Sequence, residues 1–158
     1  MPAKLMIDLQ FASPSLESTV EKNASPALIK KWVKSTGAKS GLITLRFVNT
    51  AEGKKLNQSF RKKNYATNVL TFPYEHSKGD LTADIIFCLP VIQKEAKEQG
   101  KTLKAHLAHL VIHGSLHAQG YDHENDRDAK KMEALEIKLL KTLGFTNPYL
   151  NKIGRAHV

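Results

Sequence analysis

The stretch His113-Gly114-Ser115-Leu116-His117-Ala118-Gln119-Gly120-Tyr121-Asp122-His123 constrains this chain more than any other. Its histidines stand at i, i+4 and i+10, with a glycine at i+7. Residues four apart lie above one another on a helix, so His113 and His117 can share one ion. Gly120 suits the end of that helix, because glycine takes the left-handed backbone that reverses a chain without steric cost. The reversal brings His123 back towards the first two imidazoles. Three neutral imidazoles with a fourth position left to water form the pattern of a catalytic zinc site.

A chain of 158 residues suits one domain spanning 1–158, large enough to bury roughly 68–70% of its unfolded surface. Leu5, Ile7, Leu9 and Phe11 alternate with polar or flexible residues and predict a first strand. Ser25-Pro26 predicts a helix start, Leu28, Ile29, Trp32 and Val33 its buried face, and Gly37 its end. Trp32 reads as a core anchor. Leu42–Val48 returns to period two. From Thr50 to about Lys63 a short helix carries Leu56 and Phe60 on a narrow stripe, with Lys54, Lys55, Arg61, Lys62 and Lys63 around it. Thr67–Phe72 and the more continuously apolar Thr82–Leu89 predict two further strands, joined by a turn-rich loop over Glu75–Leu81. Helices follow from Pro90 to Gly100, from Leu103 into the histidine motif, and from about Asn125 to Gly144, the last striped by Met132, Leu135, Leu139 and Leu143. Strands early and helices late predict an α+β fold, with about four strands in a mixed sheet packed against helices.

The histidine spacing matches the H-E-x-x-H-x-x-G-x-x-H pattern of metzincin peptidases except at 114, where glycine replaces the glutamate general base. Without that carboxylate the peptidase mechanism lacks the group that deprotonates the zinc water. A metallopeptidase-like hydrolase is therefore the secondary reading. A purely structural ion is disfavoured too, since structural zinc sites are usually closed by four protein ligands. The chain offers three histidines and one distant cysteine, Cys88, which lies in an apolar run and reads as core. His106 reads as an ordinary partly buried imidazole, and His109 is either that or a group supporting the ligands. Asp122 either orients a ligand histidine or caps a turn.

These residues carry a family likeness. The histidine motif closely resembles the signature of the YbeY family, bacterial endoribonucleases of ribosomal RNA maturation. A second block, Leu56-Asn57-Gln58-Ser59-Phe60-Arg61-Lys62-Lys63-Asn64-Tyr65-Ala66-Thr67-Asn68-Val69-Leu70-Thr71-Phe72-Pro73, is similar to that family's other characteristic stretch. The likeness continues through Ala83-Asp84-Ile85 and Glu133-Ala134-Leu135-Glu136 to Asn147-Pro148-Tyr149. Ala118 and Ala83 depart from the family's usual leucine and glycine, and neither change removes a ligand. The resemblance implies an α+β fold with the zinc helix-turn at the end of a cleft. It also implies metal-dependent cleavage of single-stranded RNA, serving 16S rRNA 3′-end maturation and ribosome quality control, with Arg61 catalytic.

Chemistry gives Arg61 a reason. Phosphodiester cleavage builds charge on the non-bridging oxygens, and a guanidinium donates to two of them in a fixed fork. The expected route is attack by metal-bound hydroxide, with Arg61 stabilising the transition state; attack by the RNA's own 2′-hydroxyl fits these residues equally. His113, His117 and His123 are the expected ligands of one Zn2+, although imidazole also suits Ni2+ and copper. Lys62, Lys63 and Asn68 are candidate substrate contacts, and His109 and Asp122 candidate supports of the ligands. A formal net charge of +9, from 24 Lys+Arg against 15 Asp+Glu, favours polyanionic partners. The expected partners are single-stranded RNA, ribosomal RNA and the small ribosomal subunit. A ribosome-assembly factor that binds RNA without cutting it, its metal structural, is the remaining alternative. No apolar run approaches the roughly 20 residues of a membrane span, and no signal peptide is recognisable at the N-terminus. Together with the lone cysteine, this predicts a cytoplasmic protein with no membrane association. The oligomeric state is left open.

Overall fold

Capping chemistry and period-two alternation place most of the elements. The computed structural model describes residues 4–74 and 80–150. In chain order they form β1 (Leu5–Phe11), α1 (Pro14–Asn23), α2 (Pro26–Ser35), β2 (Gly41–Val48), α3 (Thr50–Arg61), β3 (Val69–Tyr74), β4 (Leu81–Cys88), α4 (Leu89–Glu98), α5 (Leu103–Ala118) and α6 (Asp126–Thr142). Side chains of Ser13, Ser25, Asn49, Thr102 and Asn125 cap α1, α2, α3, α5 and α6 by accepting a backbone N–H one turn on. The α+β expectation holds.

The sheet runs β1-β2-β4-β3, with β1–β2 and β2–β4 parallel and β3–β4 antiparallel. β4 is central, which explains its nearly continuous burial. β3 is an edge strand, so it tolerates Pro73 and extends to Tyr74, beyond the predicted end at Phe72. The register aligns Phe11 with Phe47 and Phe47 with Phe87. Their rings stack across three strands at 5.3 and 5.0 Å between centroids.

The main core lies on that face of the sheet, where Ile43, Leu45, Ile85 and Phe87 meet Trp32 of α2 and Leu107, Val111 and Leu116 of α5, all at most 1% exposed. Trp32 is the core anchor expected. A smaller cluster on the opposite face gathers Val48, Leu70, Ile86 and Cys88, with Leu56 of α3 packed over it. Cys88 is buried as expected.

Two differences from the sequence reading stand out. Helix α1 had no predicted counterpart; only Val20 of its ten residues is buried, so its apolar periodicity is weak, and Ser13-Pro14 was its one clear signal. Helix α3 ends at Arg61, two residues short of the predicted Lys63, because Lys62 adopts a left-handed backbone with φ 57°. The loop expected over Glu75–Leu81 lies mostly outside the described residues, and Leu81 itself begins β4.

Candidate metal centre

α5 is buried on nearly every side and packs against α2, α4, α6, β3 and β4. A helix apolar all round belongs in a core, and such an element holds a site rigidly. His113 and His117 emerge half-buried near its C-terminal end, with ring centroids 4.8 Å apart. The helix then stops in a Schellman turn. Tyr121 N donates to Leu116 O at 3.1 Å, Gly120 N donates to His117 O at 3.0 Å, and Gly120 takes φ +100°. This reversal brings the exposed His123 ring to 4.7 Å from His117 and 5.6 Å from His113. One nitrogen from each of the three rings lies within 4.8 Å of the others. A recess lined in part by Gln119, Gly120, Tyr121 and Asp122 opens at the turn.

Glu136, from the middle of α6, stands behind this cluster and is wholly buried. Its Oε2 is 2.8 Å from His113 Nδ1 and its Oε1 2.7 Å from His109 Nε2, while the Tyr149 hydroxyl donates to the same Oε1. An ionised carboxylate only accepts, so the His113 nitrogen facing it carries the proton and Nε2 keeps its lone pair. Burial by itself pushes the Glu136 carboxyl up, but hydrogen bonds from His109 and His113 outweigh it and bring the group down to about 2. Burial, then the neighbouring His113 and His123, lowers His117 to about 4. Burial likewise lowers His109, against the opposing pull of Glu136. The ring of His117 is thus neutral near pH 7, as a ligand must be. The donor set fits a divalent transition metal.

Each residue singled out from the sequence now has a place. His109 is tied to Glu136 and through it to His113. His106 is an ordinary buried imidazole whose Nε2 pairs with Glu95 at 3.0 Å. Asp122 accepts the backbone N–H of His123 at 2.7 Å, fixing the local turn that presents that histidine. Asn68 donates to Glu95 at 3.1 Å, and the next residue, Val69, lies against α5 at Gly114. Arg61, Lys62 and Lys63 are exposed where α3 ends. Glu136 is the residue sequence reasoning missed. Its signal was present: an acid four residues after Met132 and four before Leu140, on the buried stripe of α6.

Gly114 has a structural cause as well. A Cβ there would sit 2.8 Å from Ile85 Cγ2, so any side chain would force the helix or Ile85 to shift. A glutamate at the position of the peptidase base would carry that packing cost.

Fold and site together define a class: an α+β protein in which a buried helix and the turn after it gather three histidines that could hold a metal ion. A family model described as Endoribonuclease YbeY matches residues 10–144. The chain is 71% identical over 148 residues to an Endoribonuclease YbeY of Polynucleobacter asymbioticus, covering 94% of this chain and 96% of the relative. It is 51% identical over 154 residues to one of Herminiimonas arsenicoxydans, covering 93% and 96%. The solution structure of TM1509 from Thermotoga maritima shares the fold, with a TM-score of 0.53 at 25% identity over 88% of this chain and 92% of that one. The protein belongs to the YbeY family of endoribonucleases.

Proposed function

We propose that the protein is a zinc-dependent, single-strand-specific endoribonuclease, one catalytic domain over residues 1–158, with His113, His117 and His123 as ligands. The convergence of those three imidazoles, backed by Glu136, is the observation that carries the reading. Its relatives named as endoribonucleases point the same way. An ion held by these histidines would supply Lewis acidity, the chemistry that a glutamate at 114 would otherwise assist.

The protein's own groups do the rest. Glu136 keeps a proton at Nδ1 of His113 and so directs its Nε2 lone pair into the cluster. Asp122 holds the backbone of His123. Arg61 ends α3, where its guanidinium is free to donate to two non-bridging phosphate oxygens as charge builds on them. Lys62 and Lys63 extend the positive surface along the phosphates. Within the cell we place the enzyme in the cytoplasm, on ribosomal RNA and the small ribosomal subunit, in 16S rRNA 3′-end maturation and ribosome quality control. Among the described residues no helix is long and apolar enough to cross a membrane.

The deciding experiment compares cleavage of single-stranded and duplex RNA by wild type, Arg61→Ala and His113→Ala. Wild type should cut the single strand, His113→Ala should lose activity, and Arg61→Ala should fall by about 10²-fold or more. Equal cutting by all three would mark the activity as a contaminant and end the assignment. The cut ends report the route: a cyclic phosphate marks 2′-hydroxyl attack, and a 5′-phosphate marks hydrolysis.

A further inference from the structure

Two aromatic rings stand out on the surface beside the basic end of α3. Phe60 is 65% exposed and Tyr65 58% exposed, and every residue from Gln58 to Tyr65 is exposed. Between Gly53 and Tyr74 the chain contains no Asp or Glu, but it carries Lys54, Lys55, Arg61, Lys62 and Lys63. Phe60 reaches the smaller core cluster through Phe72, and two rings left mostly in water within five residues of a basic run form a surface suited to a ligand.

The Phe60 ring and the Tyr65 backbone are each held from beneath. Phe60 packs edge-on against Phe72 of β3, with centroids 5.1 Å apart and planes at 64°. Tyr65 is fixed through its backbone: Asn57, 2% exposed on the inner side of α3, donates to Tyr65 O at 2.7 Å. Lys63 N donates to Asn57 O, so the same asparagine closes the turn from both sides. The turn is anchored while Tyr65 itself stays mostly exposed. Four residues on, Val69 packs against α5 at Gly114, next in sequence to His113. That span is at most roughly 14 Å of chain.

We propose that Phe60 and Tyr65 form a base-stacking platform for single-stranded RNA, feeding the strand from the end of α3 towards the histidine centre. The inference rests on the endoribonuclease reading and deepens it by naming where unpaired bases bind. Stacking on an aromatic face is open to any base, because every base has a π-face, but closed to bases already stacked within a duplex. Arg61, Lys62 and Lys63, interleaved between the two rings, face the phosphates. A platform of this kind selects for single strands with little preference for sequence.

The test measures binding of a single-stranded 2′-O-methyl oligoribonucleotide containing 2-aminopurine, whose fluorescence is quenched on stacking, alongside cleavage of the unmodified strand. Tyr65→Ala should bind roughly tenfold more weakly and lose the quench, and Tyr65→Phe should restore both. Phe60→Leu, which keeps an apolar contact for Phe72, should weaken binding by a similar factor. None of these changes should alter the salt dependence, which counts phosphate contacts, whereas Lys62→Ala with Lys63→Ala should flatten it. If wild type cuts RNA while Tyr65→Ala and Phe60→Leu bind and quench like wild type, the platform is wrong and the nuclease reading stands. If wild type neither binds nor cuts, the nuclease reading fails and takes the platform with it.

Discussion

At the scale of single residues, Glu136 is the most informative side chain. Buried among apolar neighbours on α6, it is tolerated because His109, His113 and Tyr149 all meet it. Glu136→Gln preserves its shape but removes the charge and one acceptor, and should weaken metal affinity by about 10–100-fold in a chelator-competition titration. His117→Ala, beside wild type in the same metal analysis, should purify with little bound ion; equal metal content in both would remove the site as drawn. The pH behaviour follows from two shifts of one sign. Glu136 sits at about 2 against an ordinary 4.5, so its contribution to stability is complete above pH 4.5 and disappears as the pH falls towards 2. His117 sits at about 4 against 6.5, so the unfolded chain takes up that proton first and the folded state loses stability as the pH falls from 6.5 to 4. The thermal midpoint of the metal-free protein should therefore drop between pH 7 and 4, with a shallower slope in His117→Ala.

At the scale of elements, the contact of α5 with the sheet decides what chemistry the motif can perform. Glycine suits 114 because a Cβ there would meet Cγ2 of Ile85, a stiff β-branched residue on β4, at 2.8 Å, so one of the two would have to shift. Gly114→Ala gains about 1 kcal/mol of helix propensity, but it forces α5 off β4 and should lose about 1–3 kcal/mol through overpacking. Urea unfolding should show a net destabilisation; a stabilised variant would mean the helix and sheet have slack that these distances deny. The close of α3 carries the opposite kind of strain. Lys62 holds φ 57° where glycine would be unstrained, so Lys62→Gly should stabilise the fold by up to about 1 kcal/mol while removing one phosphate contact. Stability and RNA affinity would then move in opposite directions.

At the scale of the whole molecule, the fold rests on an apolar core that is separate from the three histidines. The core cluster and the partly buried residues packed on it join β1 to α6, and the three histidines proposed as ligands lie apart from it. Removing the metal should abolish RNA cleavage yet leave the far-ultraviolet circular dichroism and a single cooperative unfolding transition in place. Collapse of the fold on chelation would instead favour a structural ion and an assembly factor that does not cut. The net charge of +9 adds a long-range attraction to RNA, and affinity should fall steeply between low and physiological salt.

What the sequence determined alone is whatever depends on near neighbours along the chain. Among the described residues, the four strands, five of the six helices and the three converging histidines follow from period, caps and the glycine at 120, because hydrogen bonds and side-chain spacing within one turn or one strand set them. The same local logic failed for α1, whose stripe is too thin to register, and it left open whether Asp122 braces a ligand or a turn. Tertiary structure alone decided the partners that meet across α5: Glu136 behind His113 from 23 residues away, and Ile85 against Gly114. Those depend on how helices stack on the sheet, which fixes distances between residues far apart in sequence. The histidine spacing pointed to a candidate metal site; helix–sheet packing made a side chain at 114 costly, and helix–helix packing brought a buried carboxylate to His113.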